Sequence, residues 1–349
     1  MPDVVLIDAG DGALPDGAMP GGAMPGGAIE QARAAAGDVD AAIGLARTLA
    51  QSAPYPGEGR TSGLWSLLAS VAAIDLTVAR VVEPHLDALA ILRQAALPAE
   101  PDAVYGVYAA ERPGLVVSAL QRDGGTVLDG VKPWCSLAGS LDRALVTAQT
   151  PAGRRLFAVD LHHDGASALP GQWHALGLAA VESGDLRLQD VPASPVGEAG
   201  WYLERPGFAW GGIGVAACWY GGAAAVAQRL LDSTRGREPD QFALAALGEA
   251  DRLLHGARLA LAAAAHRVDD GDAVGPAGAL LAARVRGVVA TAAERVLILA
   301  GHALGPAPLT LDGEHARRVA DLTVYLRQHH AERDDARLGA AVREDAPAW

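Results

Sequence analysis

Two adjacent histidines, His329 and His330, are suited by residue type to moving protons near neutral pH, because imidazole changes charge there. They stand side by side in the chain, not four apart, so one helix face cannot present both rings to a single metal ion. No metal site is expected. At a helix C-terminus the pair could equally be solvated, where the helix dipole favours positive charge. His162-His163-Asp164 reads as a loop between strands. The run Gly212-Ile213-Gly214-Val215-Ala216-Ala217 has G-x-G-x-x-A spacing, with Asp232 twenty residues after Gly212. A dinucleotide fingerprint needs a buried parallel strand immediately before it. Here Pro206-Gly207 precedes and helical sequence follows, so the run reads as a closely packed helix entry. Arg235, Arg237 and Asp240 form a polar gap that is either a solvated loop or a phosphate contact. Neither a phosphate-binding P-loop nor a G-x-S-x-G nucleophile turn is present.

The elements that must position these residues change character twice along the chain. Residues 11–28 hold the repeat DGAMPGGAMPGGA, whose Gly and Pro predict a flexible leader over 1–28. Residues 29–98 have helical spacing, with Ala32, Ala35, Ala36, Val39 and Ile43 on one face. Thr61 or Ser62 is the expected N-cap of the next helix, and Pro84 predicts a kink or split further on. Residues 99–200 hold short Val/Tyr/Leu/Thr runs at 103–109, 115–120, 126–130, 143–149, 155–161 and 185–191, separated by turn residues. Such strands without intervening helices predict an antiparallel sandwich or barrel. Residues 201–349 return to Ala/Leu-rich helices, expected at 210–232, 239–269, 276–302 and 312–338, which predicts a four-helix bundle. The fold class is therefore α+β: an N-terminal helical domain, a middle antiparallel β domain and a C-terminal bundle.

Within that order, Gly130-Val131-Lys132-Pro133-Trp134-Cys135-Ser136 resembles the G-x-K-x-W-I-T segment of the acyl-CoA dehydrogenase superfamily. The segment from Gly171 to Gly197 resembles the family stretch that closes its β domain, with Gly177, Ser183, Leu186, Asp190, Val191, Pro192 and Gly197 in order. Ala300-Gly301-His302-Ala303-Leu304-Gly305 and Arg317-Arg318-Val319-Ala320-Asp321 match the family's C-terminal patterns more loosely. The resemblance covers roughly residues 60–340. It implies FAD between the β domain and the bundle, with Trp134 against the flavin ring and Ser136 near its N5 edge. It also implies oxidation of the CH–CH group of an acyl thioester, a homodimer or homotetramer, and an electron-transfer flavoprotein as redox partner.

The departures from the family are specific. The T-E-P-x-A-G-S-D motif is replaced by Tyr105-Gly106-Val107-Tyr108-Ala109-Ala110-Glu111-Arg112, and the R-x-x-F-G phosphate contact is missing. Where the family has its catalytic glutamate, eight residues after the aspartate, Asp321 leads to His329. His329 is thus the candidate base, with Glu294 and Glu249 as alternatives on other helices. Two other functions stay open: a flavin-dependent monooxygenase on the same scaffold, and a catalytically degenerate subunit that pairs with an active one.

The net charge of −13 and pI near 5.2 argue against nucleic acid as a partner, because an acidic surface repels phosphate. Two cysteines, Cys135 and Cys218, without a Cys-x-x-Cys pair suit a reducing compartment, and the N-terminus lacks signal-peptide features, so the cytoplasm is the expected location. The apolar helical stretches are interrupted by Arg or His and are expected to be bundle helices, with no membrane span.

Overall fold

The computed structural model describes residues 4, 5, 7, 27–122, 124–171, 173–236 and 238–345. Most of the repeat-bearing leader, Asp123, Gln172 and Arg237 lie outside the described residues. Four helices come first: α1 (Ala28–Ala34), α2 (Val39–Ala50), α3 (Thr61–Ile74) and α4 (Leu76–Gln94). Seven strands follow: β1 (Tyr105–Tyr108), β2 (Val117–Arg122), β3 (Gly125–Ser136), β4 (Arg143–Thr150), β5 (Gly153–Asp160), β6 (Ala166–Ala168) and β7 (Ser183–Val196). The rest is helical: α5 (Trp201–Glu204), α6 (Pro206–Arg235), α7 (Gln241–Asp269), α8 (Gly275–Leu304), α9 (Ala307–Leu311), α10 (Gly313–Tyr325) and α11 (Glu332–Asp345).

The strands run β1-β4-β2-β3-β7-β5, and β5 pairs back onto β4, so the sheet closes on itself. Most pairings are antiparallel, as the turn-rich sequence predicts, but β1 lies parallel to β4. Closure leaves few free edges, which is how a lone β domain avoids unwanted strand pairing. One large core runs through the helices into the barrel. A second cluster, built on Ile91, Leu92, Tyr105, Leu145, Leu156 and Tyr202, ties α4 to the barrel. Helix α8 is long and apolar enough to cross a membrane by length and composition, yet it packs against α6 and α7 in the bundle.

Local expectations fail where a distant group intervenes. Pro84 sits inside α4, which runs unbroken across it. The break falls at Asp75 instead, in extended conformation between α3 and α4, where its carboxylate caps Val78. Burial of α4 among its neighbours outweighs the one backbone bond that proline removes. Thr61 is the first residue of α3, not its cap, and Asp269 from the end of α7 accepts from Thr61 N (2.9 Å), Thr61 Oγ1 (2.6 Å) and Gly59 N (3.0 Å). Asp240, placed in the sequence as part of a polar gap, caps α7 by accepting from Phe242 and Ala243. The last expected helix is broken, because α10 ends at Tyr325, a 3₁₀ turn covers Leu326–Gln328, and Ala331 takes φ 47° before α11 begins.

Two described residues of the expected leader are held against α3. Val5 and Ile7 are buried, and their N–H groups donate to Ser70 Oγ (2.9 Å) and Ser66 Oγ (3.0 Å) on α3. Flexibility of the leader therefore does not extend to these residues. Ser66→Ala leaves the Ile7 N–H without its acceptor, which costs about 1 kcal/mol locally. Limited proteolysis should then cut near the N-terminus faster than in the wild type, and unchanged cleavage would contradict this docking.

Candidate active site at the seam of the β domain and the bundle

Strand β3 carries a bulge where Pro133 and Trp134 together face the stretch of β7 between Leu186 and Gly184. A bulge bends the strand and re-aims a side chain. Trp134 takes φ 60°, a strained region for an aromatic residue, and its indole is 53% exposed. Two residues on, Ser136 lies in the seam. Its Oγ is 3.1 Å from Arg80 Nη2 on α4 and 2.8 Å from Ser183 Oγ on β7. Ser183 donates onward to the Val181 carbonyl, so the Ser136 proton points to Ser183 and its oxygen accepts from Arg80. The donor presented on this side of the seam is therefore the Arg80 guanidinium, not the serine hydroxyl. Tyr108, on the strand where the family motif is missing, donates its hydroxyl to the Ser136 carbonyl at 2.9 Å.

Arg80 belongs to a buried polar cluster built from four helices. Its guanidinium lies 5.0 Å from the centre of the Tyr325 ring and 3.4 Å from the Glu83 carboxylate. Trp219 on α6 is fully buried, edge-to-face with Tyr325 and with His329. Arg286 on α8 stacks over Trp219 at 4.7 Å and donates to the carbonyls of Gly212 (2.6 Å) and Gln328 (3.1 Å). Burial pushes the Glu83 carboxyl up to about 7, against the pull of Arg80. Further along α4, burial also raises Asp87, which Arg205 opposes at 3.6 Å. Trp219 Nε1 and the Tyr325 hydroxyl make no hydrogen bond of good geometry. Tyr325 nonetheless lies against the Arg80 guanidinium, so Trp219 Nε1 is the donor of this cluster that has no partner among the described residues.

The structure places the remaining sequence candidates as follows. His329 leaves the helical path at the end of the 3₁₀ turn, and its side chain is only 11% exposed. It is packed against Trp219, not solvated. Burial lowers its pKa, opposed by Asp334 at 3.9 Å, so the ring is neutral at pH 7 and able to accept a proton. His330 is more exposed and lies 3.5 Å from Asp334. Of the alternative bases, Glu249 holds Arg295 in a two-point ion pair, while Glu294 pairs with Arg327 and acts on His329 through its charge. Among the described residues no group of three metal-ligating side chains exists. Arg80 and Glu83, which no sequence motif marks, reach the site directly: Arg80 bonds Ser136, and Glu83 pairs with Arg80. Their three-residue spacing is that of a solvated helix face, so the sequence carried no signal that set them apart.

The sequence segments that carried the resemblance meet in space. Asp321 on α10 accepts from Leu178 N at 2.6 Å, and a methyl group on neighbouring Gly177 would lie 2.0 Å from the Ala320 carbonyl. The loop before β7 is thus locked to the bundle, and with it the depth of the seam. Butyryl-CoA dehydrogenase from Megasphaera elsdenii superposes with a TM-score of 0.77 at 18% identity, over 90% of this chain and 92% of that one. The chain has the acyl-CoA dehydrogenase fold. A KijD3 in complex with FMN aligns equally well, with a TM-score of 0.77 and 18% identity over 92% of both chains. The nitrososynthase from Micromonospora carbonacea var. africana gives 0.69 at 20% identity, over 85% of this chain and 88% of that one. No protein-family model matches the chain, and no curated protein does.

Proposed function

We propose that this chain is a flavin-dependent oxidoreductase whose reaction site is the seam between the barrel and the bundle. The observation that carries the reading is the Arg80 guanidinium held at Ser136, two residues along β3 from the exposed Trp134, and backed by the buried Trp219 and Tyr325. An isoalloxazine presents a flat apolar face and an edge rich in acceptors, so this donor set fits it. Trp134 would lie against the ring, Ser136 would act through the Arg80 it accepts from, and a bound flavin would supply two-electron chemistry. Proteins of the same fold were solved with FMN, as in KijD3, and with FAD, as in PigA. FAD is the expected cofactor here, and FMN is the alternative to test beside it.

Two finer readings divide on the lining. Oxidation of an acyl thioester at CH–CH needs a base and an apolar channel. The base on this reading is His329, neutral at pH 7. The charges of Arg80, Glu83, Asp87 and Arg286 favour instead a polar substrate and the monooxygenase reading. Exposed apolar side chains on α7 and α8, among them Leu244, Leu259, Val288 and Ile298, suit a second copy of the chain. An electron-transfer flavoprotein partner belongs to the dehydrogenase reading only. The cytoplasm remains the proposed location, where the buried free thiols of Cys135 and Cys218 stay reduced.

The purified protein should show flavin absorption bands, or gain them with added FAD or FMN. Trp134→Ala should weaken flavin binding about 10-fold, the equivalent of losing one stacked aromatic contact worth roughly 1.4 kcal/mol. A protein that takes up neither flavin would leave only the degenerate-subunit reading. Rapid oxidation of the reduced protein by air, with oxygen incorporated into product, would select the monooxygenase.

A further inference from the structure

Glu83 is an unusual carboxylate for its surroundings. Its side chain is 7% exposed, and its hydrogen-bonded partner among the described residues is Arg80, at 3.4 Å. An ionised carboxylate offers about four acceptor positions, so one long contact leaves most of its hydration uncompensated. The titratable or charged groups that act on it are Arg80 and Asp87 on α4, Tyr202 on α5, Cys218 on α6, Arg286 on α8 and Tyr325 on α10. None of them except Arg80 makes a bond to it. Arg80 is shared, because its Nη1 faces Glu83 while its Nη2 reaches across the seam to Ser136 on β3. Any negative charge arriving at Ser136 competes with Glu83 for the same cation.

We propose that Glu83 is the proton store of this seam, taking up a proton when negative charge arrives on the β3 side of Arg80 and releasing it when that charge leaves. The balance is simple. The guanidinium turns its charge toward the arriving anion, Glu83 loses its counter-ion, and the carboxylate binds one proton from water to become a neutral acid. Removal of the anion reverses each step, and no bond other than O–H is made or broken. Glu83 is on this account a positioning residue that acts through Arg80. The class of ligand that drives it is an anionic or acceptor-rich group. A flavin that has gained electrons is one such group, and that part rests on the functional reading above.

The proton can be followed directly by infrared titration of the full-length protein, without any flavin. Asp87 and Asp321, also raised by burial, contribute to both proteins, so the Glu83 band is read from the wild-type minus Glu83→Gln difference spectrum, where it should titrate close to neutral pH. Ser136→Asp plants a carboxylate where the anion is expected, and the Glu83 midpoint should rise by about one pH unit or more. Should that variant fail to fold, Arg80→Gln removes the shared cation and should move the midpoint the same way. With FAD bound, chemical reduction should enlarge the band in the wild type and not in Glu83→Gln. Failure of FAD to bind, with the Ser136→Asp shift intact, would remove the flavin reading and leave the proton store standing. A difference spectrum without a titrating carboxylic-acid band, or a midpoint unmoved by both charge changes, would overturn the proposal.

Discussion

Gly221→Ala is expected to destabilise the protein by roughly 2–3 kcal/mol, although alanine is the better helix former. Gly221 lies in the middle of α6, and a methyl group there would sit 2.0 Å from the Ala69 carbonyl oxygen of α3 and 2.7 Å from its carbon. Both are backbone atoms, so no rotamer change relieves the clash. The two helices must separate by about 1 Å, and a gap of that size forfeits a quarter to a half of each contact along the interface. Helix propensity returns about 1 kcal/mol at most, so the steric term wins. The control is Gly248→Ala on α7, where an added methyl meets nothing within 4 Å. That change should stabilise by about 0.5–1 kcal/mol. Urea denaturation of the two variants measures both. A Gly221→Ala protein as stable as the wild type would show that α3 and α6 do not meet as closely as described.

Glu83→Gln should change how stability depends on pH. In the folded chain the carboxyl holds its proton up to about pH 7, against 4.5 for an ordinary glutamate. Below the lower value both states bind the proton, and above the upper one neither does. Between them only the folded state keeps it, so this group's contribution is fully present in acid and is lost as pH rises through the window. The whole loss is about 3 kcal/mol, at roughly 1.4 kcal/mol per unit. Glutamine is neutral throughout and has no such window. The stability difference between wild type and Glu83→Gln should therefore move by about 3 kcal/mol in favour of glutamine from about pH 4 to pH 8. Taking the difference removes the contribution of His85, lowered by burial to about 4, which opposes that of Glu83, and of Asp321, raised by burial to about 6, which runs the same way. Parallel curves for the two proteins would mean that Glu83 is an ordinary, solvated carboxylate.

Much of the architecture is local information. The strand runs and turn residues of the middle segment mark every strand but the short β6, though β3 and β7 run on past their marked stretches, because alternation and turn chemistry act over short distances. The long Ala/Leu stretches mark α6, α7 and α8 for the same reason. Two segments, 130–136 and 171–197, also carry spacing whose meaning is structural: a bulge that turns Trp134 outward, and a loop whose Gly177 lets the chain touch α10. Periodicity cannot foresee that Asp269 caps a helix 208 positions away, or that Asp75 rather than Pro84 divides the first long helical stretch.

Local patterning fixes the order of helices, barrel and bundle, and the segment around Trp134 and Ser136 carries a resemblance to a flavin-binding one. Tertiary structure alone decided which charges matter. Arg80, Glu83 and Asp87 recur at three- and four-residue spacing, which in one dimension is the pattern of a solvated helix face. The barrel and the bundle close over that face, water is excluded, and the same three residues become the buried electrostatics of the seam. A charge's cost and reactivity are set by what surrounds it, and its surroundings come from elements far along the chain.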